Sequence, residues 1–408
     1  MNVSGMTELG FGNGNGVILH NGGTLITDQL AVRNISSFTF SGSDIANDLF
    51  ITGGGNVTTA NVGNLTTFAF VLDGNSKLNL SDNLVLSGDL LIRGTGGTQA
   101  IVDANGFDIT ANNIDIGQFG NHGDIINRGI ITANNRLGVS GGTFSLNATD
   151  VVAQQVGASN GGTLNLHANT AAQSAIITTG GIVNTAATGN LATFAFVQDG
   201  NTKLNLGDNL VLSGDLLIRG TGGTQAIVDA NSFDITADRI LLGQFNNTGE
   251  LINDGMIIAD ELIFDQSDLL LTGGGDTIGS VLDIVDNSVL TVQQALGEVN
   301  GLTFNGSALQ IDATSQMNLV FDGQLNVGLD WAFRWLNPGV GDRVGDLTSL
   351  VNNGRIVLSS SNPVSIFDGG DGFTYVGSAA IPEPAALGML MLASVICLSW
   401  RRRVPGRV

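Results

Sequence analysis

Six aspartates in two matched sets are the first place to look for chemistry, since Asp89, Asp103 and Asp108 recur as Asp215, Asp229 and Asp234. Sugar hydrolases and lyases work with clustered carboxylates of this kind, one protonating the leaving oxygen while another serves as base or nucleophile. Lys77 and Lys203, the only lysines, also share one position in the two sets. Recurrence is explained by duplication of a whole block, so exposed turn carboxylates are expected in place of an acid–base pair. His20, His122 and His167 are scattered among Gly and Asn without HExxH or any other ligand spacing, and read as surface residues. IRGTGGT, at Ile92 and again at Ile218, lacks the GxGxxG spacing and a Walker lysine, which makes it a tight glycine turn. Arg93 and Arg219 within it are expected to pair with neighbouring aspartates at little energetic gain. Asp368 and Asp371 in FDGGDGF, with Asp73 and Asp199 in LDGN and QDGN, offer oxygen ligands but follow no calcium-loop pattern. No residue is therefore assigned to catalysis, to a cofactor or to a metal, and no enzyme is expected.

The elements that would position these residues come from an internal repeat. Leu65 to Phe119 returns as Leu191 to Phe245, an offset of 126 residues (191 − 65), with 46 of 55 positions identical. Within the block, Leu78 and Leu80, Leu84 and Leu86, Leu90 and Ile92, and Ile114 and Ile116 each alternate with a polar residue and are followed by Gly, Asn or Asp turns. Period two over three or four residues describes very short strands and no helix. INRGII at Ile126, INDGMI at Ile252 and VNNGRI at Val351 form a further motif. Its asparagines are expected to stack in successive coils and satisfy backbone groups at a bend, with the glycine in the left-handed conformation.

Composition agrees with an elongated repeat. The chain of 408 residues has 59 glycines and 5 prolines, three of the prolines (Pro382, Pro384, Pro405) in the last thirty residues. Net charge is −21, and four of the 15 basic residues follow position 400, leaving 11 against 36 acidic ones before it. So acidic a body excludes nucleic acid as a partner. The one cysteine, Cys397, permits no intramolecular disulfide. The amino-terminal MNVSGMTELGFGNGNGVILHNGG has no basic start and no apolar stretch, so no secretory signal is read there and the chain opens inside its repeat pattern.

Over residues 1–320 this style of repeat resembles the Gly/Asn-rich β-solenoids of bacterial surface proteins, the autotransporter-passenger and haemagglutinin-like group. The resemblance implies an all-β fold, a right-handed parallel β-helix whose coils hide their apolar residues by stacking. The expected layout is partial coils over 1–53, repeat copy 1 over 54–179, copy 2 with further coils over 180–318 and a small β terminal module over 319–378. That module holds Trp331, Trp335 and Tyr375 and would cap the open edge.

Residues 379–408 differ in every respect. Pro382, Glu383 and Pro384 precede an uncharged run of 16 residues, 385–400, and then Arg401, Arg402 and Arg403. As a helix the run would span about 24 Å, short of a roughly 30 Å hydrocarbon core, so one marginal C-terminal transmembrane helix is expected. The arginines would hold its end in the cytoplasm and the body outside. The tail resembles the PEP-CTERM sorting signal. That resemblance implies export, inner-membrane anchoring through 385–400, removal of the tail by an exosortase, a membrane transpeptidase, and a destination at the cell surface or extracellular matrix near exopolysaccharide. An exported structural or adhesive protein is the resulting expectation. A polysaccharide lyase or hydrolase on the same scaffold is the alternative. Ice binding is a weaker one, because Thr58, Thr59, Thr95 and Thr98 do not recur at one short interval.

Overall fold

The computed structural model describes residues 2–378, except 11–16, 20–22, 96, 118–121, 127, 146–150, 222, 244–247, 273–274, 295–300, 322–330, 340 and 361–363. Short strands stack in parallel along one axis into a 21-stranded sheet on one side and six- and ten-stranded sheets on the other. The alternation seen in the sequence is the cause. Leu49, Ala69, Leu90, Ile114, Leu137, Val156, Ala175 and Ala195 occupy one inward column, each in register with the next. All are fully buried. Burying each leucine, isoleucine or valine in such a column stabilises the coil by about 1.5–3 kcal/mol.

The long strands bend, and the bend divides each coil into faces. Ile109–Ile116 shifts register between Ala111 and Asn113. One coil earlier the bend becomes a gap, with separate strands Leu84–Val85 and Leu90–Arg93. Gly88 lies in that gap because a Cβ there would stand 2.4 Å from the Phe68 ring. Ala69 reaches Ala195 in six register steps, so the duplicated block is six whole coils. A duplication of whole coils leaves every inward residue inward.

Two expectations are corrected. Gly129 and Gly255 of the INxGxI motif are not left-handed; a Cβ would stand 2.7 Å from the Gly106 carbonyl oxygen and 2.3 Å from that of Phe233, so close stacking on the coil below demands glycine. In VNNGRI the motif is a helix end, where Gly354 has φ +70. The transmembrane helix of the expected fold is also corrected. Among the described residues no helix is long and apolar enough to cross a membrane, and the run 385–400 lies outside them.

The carboxyl-terminal end closes the stack. Gln316–Phe321 and Ile356–Ser360 extend the ten-stranded sheet, and Trp331–Leu336 pairs in parallel with Leu302–Phe304. Between them stands a nine-residue helix, Val344–Asn352, where strands alone were expected; it buries Leu347. Phe373–Ser378 then runs antiparallel between Trp331–Leu336 and Val364–Asp368. The antiparallel hairpin covers the edge of Trp331–Leu336 on which a further parallel coil would stack.

One acidic residue near this end works against folding at neutral pH. Burial raises the Asp283 pKa, and the neighbouring Asp312 charge raises it further. A carboxyl group raised in the folded state contributes stability below its unfolded value near 3.8, lost as pH rises through the folded value. Asp283→Asn is therefore expected to stabilise the protein at pH 7 by no more than about 1 kcal/mol, because solvent screens the site, and to be neutral below pH 3.8. Urea titrations at both pH values check this.

Candidate functional site

The duplicated carboxylates are tied into the coil stack. Asp103 accepts from Lys77 Nζ at 3.0 Å and Asp229 from Lys203 Nζ at 3.0 Å, so the two lysines bridge to the next coil. Asp108 accepts the Ile130 amide and Asp234 the Met256 amide, each at 2.8 Å. They are themselves held one coil below by Asn83 and Asn209, whose Oδ1 atoms accept the Asp108 and Asp234 amides at 2.9 Å. Asp89 accepts Asn113 Nδ2 at 2.8 Å, whereas Asp215 pairs with Arg239 at 2.5 Å. Each set is drawn out along the stack, one acid per link. Asp103, moreover, is 8% exposed, against the expectation of an exposed turn carboxylate.

Of the remaining candidates several have local partners, whereas the buried Asp73 Oδ1, Asp199 Oδ1 and Arg93 Nε atoms have no hydrogen-bond partner. Asp73-Gly74-Asn75 and Asp199-Gly200-Asn201 are turns of three successive left-handed residues. Asp368 Oδ1 accepts the Gly370 amide and Asn337 Nδ2, while Asp371 accepts the Phe373 amide and the Tyr375 hydroxyl. Arg219 Nη2 reaches Gln198 Oε1 at 3.5 Å. His167 Nδ1 accepts the Asn169 amide at 3.3 Å, the His122 carbonyl accepts the Gly94 amide, and His20 lies outside the described residues. Among the described residues no three His, Cys, Asp or Glu side chains gather to hold a metal ion.

The asparagines of the INxGxI motif do not stack as expected: Asn253 bonds to Gly255 within its own turn, Asn352 lies in the helix and Asn127 is outside the described residues. Other asparagines link the coils, in two forms. Asn205 Nδ2 donates to Asn184 Oδ1 at 2.6 Å, Asn184 to Asn165, and Asn165 to Ser145 Oγ at 2.9 Å. Buried Asn64 and Asn190 do more. Asn190 Oδ1 accepts the Ala186 and Ala187 amides at 2.8 and 2.9 Å, and its Nδ2 donates to the His167 and Thr170 carbonyls at 2.9 and 2.8 Å. Asn64 makes the same four bonds to Ala60, Asn61, Ser41 and Asp44. Two acceptor lone pairs on one oxygen and two N–H donors at a buried corner are what one carboxamide supplies.

One constellation is not repeated. Asp115, Gly138, Gly157 and Ile176 follow one another on the outer side of the long sheet. The two glycines leave a trough of about 320 Å³. Arg136 and Gln155 form one wall and Ser140, Ser159 and Asn160 the other. Arg136 Nη2 pairs with Asp115 at 2.6 Å, and Asn160 Nδ2 donates to Ser140 Oγ at 2.9 Å. A Cβ at Gly138 would stand 2.9 Å from Asp115 Oδ1, so glycine also makes room for the ion pair. In the second copy Leu241 stands where Asp115 stands in the first, one of nine differences in 55 positions. That difference was the available signal for the trough; nothing in the first copy alone marked Arg136 or Gly157.

Pro382, Glu383, Pro384, Arg401, Arg402 and Arg403 lie outside the described residues. The last described strand ends at Ser378, directly before them. The chain has no match among curated proteins or solved structures. Residues 380–403 match the family model of the PEP-CTERM protein-sorting motif, which implies export and sorting through an exosortase with processing at the membrane.

Proposed function

We propose that this chain is a non-catalytic structural or adhesive protein of the cell surface or extracellular matrix, its β-solenoid delivered by the PEP-CTERM tail. The observation that carries the reading is the motif at 380–403, joined directly to a solenoid whose end is closed at Ser378. The engagement of the duplicated aspartates in links between coils supports a scaffold over a lyase or hydrolase. An exosortase-type transpeptidase is the processing partner, and exopolysaccharide the neighbour expected at the destination. The likeness to autotransporter and haemagglutinin-like bodies is one of repeat style and supports the surface role only in that sense.

Intact mass of protein extracted from the cell surface tests processing. A mass lacking Arg401–Arg403 is expected, and Pro382→Ala with Pro384→Ala should lower the processed fraction at least several-fold. Full-length protein at the surface would overturn the processing step, and protein confined to the cytoplasm would overturn the whole reading.

A further inference from the structure

The trough at Gly138 and Gly157 has the chemistry of a ligand site, and its ligand class follows from what lines it. Its floor is strand backbone whose amide and carbonyl groups are already taken by the parallel ladder on both sides. A peptide cannot add to such a floor, because strand addition needs a free sheet edge. The walls mix donors and acceptors at short intervals, with Gln155 facing Ser159 and Asn160. Among the described lining residues the only charges are Arg136 and Asp115, and they neutralise each other. An anionic ligand finds no spare cation there, and the net charge of −21 repels it.

Both ends of the trough continue into partly exposed apolar surface. Beyond Asp115 come Leu91 and Phe70, with Phe50 stacked on Phe70 at 5.0 Å between centroids. Beyond Ile176 comes Phe196, 4.6 Å from Phe194. Phe70 and Phe196 lie six coils apart, about 29 Å at the usual strand spacing. A polar trough between aromatic shelves suits a chain molecule that carries hydroxyl groups on its edges and C–H faces on its rings.

We propose that the trough between Leu91 and Ile176 binds a neutral glycan chain lying along the solenoid axis, its hydroxyls against Arg136, Gln155 and Asn160 and its end rings on Phe70 and Phe196. The proposal deepens the surface-protein reading and rests on it. Copy 2 has no second such site, since Leu241 replaces Asp115 and Ile263 lies in register after it where Gly138 follows Asp115.

Calorimetric titration of the full chain with glucose, mannose and galactose hexaoses, alongside a uronate hexaose, tests it. Binding of at least one neutral hexaose, insensitive to added salt, is expected. Gly138→Val, which fills the floor, should weaken it about tenfold or more, and Gln155→Ala several-fold. Gln155 is a wall residue whose loss leaves the core untouched, so it remains informative if the valine variant does not fold. No binding by any neutral hexaose, preference for the uronate, or unchanged affinity in both variants would overturn the proposal. Surface extraction of the same chain from cells separates the two failures: protein at the surface without glycan binding refutes only the trough, and protein absent from the surface refutes the reading beneath it.

Discussion

Asn190→Ala is expected to cost about 3–5 kcal/mol of stability, a large effect for removal of one polar side chain. The variant leaves the Ala186 and Ala187 amides without an acceptor and the His167 and Thr170 carbonyls without a donor, at a residue 1% exposed. Asn64→Ala removes the same four bonds six coils away and should cost the same. The double variant should be additive, because sites this far apart share no partner. Asn190→Asp should cost at least as much, because its second carboxylate oxygen would face the His167 and Thr170 carbonyls at a buried site with no donor to meet it. Asp44 fits its own corner for the opposite reason: one of its oxygens accepts the Ser41 amide and the other the Leu25 amide of the coil before, at 2.7 Å each. Urea unfolding measures all four variants. A loss below 1 kcal/mol in Asn190→Ala would mean that water reaches this corner and replaces the amide. Since coils are coupled mainly to their neighbours, new proteolytic cuts should concentrate near residues 167–190.

Trp335→Ala is the second large effect, expected at about 3–5 kcal/mol with association of the opened ends. Trp335 is 4% exposed, lies 5.7 Å from Phe304 and donates from Nε1 to the Gly306 carbonyl at 2.8 Å. The Arg343 guanidinium stands 4.4 Å from the ring, which ties the start of the helix to the last long strand. Removing the indole leaves a void under the helix and frees the hairpin beside it, exposing the edge that the hairpin conceals. Trp335→Phe keeps most of the packing and loses the Gly306 bond, for about 1–2 kcal/mol. Urea midpoints with light scattering distinguish the two variants. An Ala variant that stays monodisperse and loses less than Phe is predicted to lose would show that the cap does not depend on this ring.

Legibility varied with the range of the interaction. Strand positions were legible because inward and outward residues alternate locally, as Leu90 and Ile92 against Leu91 and Arg93 show. Asparagine stacking was expected at the INxGxI motif and is found elsewhere, at Asn165, Asn184 and Asn205, and Asn64 and Asn190 were not singled out, because their partners lie 20 and 23 residues away as well as next door. Gly129 and Gly255 were misread for a related reason. A glycine demanded by φ and one demanded by a neighbouring coil look alike in sequence, and only the distance to the Gly106 and Phe233 carbonyls separates them. The helix Val344–Asn352 was missed although Val344, Leu347 and Leu350 recur every third residue, close to the helical period, because the segment is short and stands in a chain whose other segments alternate.

By itself the sequence determined a repetitive parallel stack and its address. Period-two burial, whole-block duplication and the 380–403 motif are all written in consecutive residues and need no partner to be read. Tertiary structure alone decided what the polar residues do, because the links between coils join residues about twenty or more positions apart along the chain. That is why Lys77 finds Asp103, why the duplicated aspartates link one coil to the next, and why two glycines, Gly138 and Gly157, open a trough that the second copy lacks.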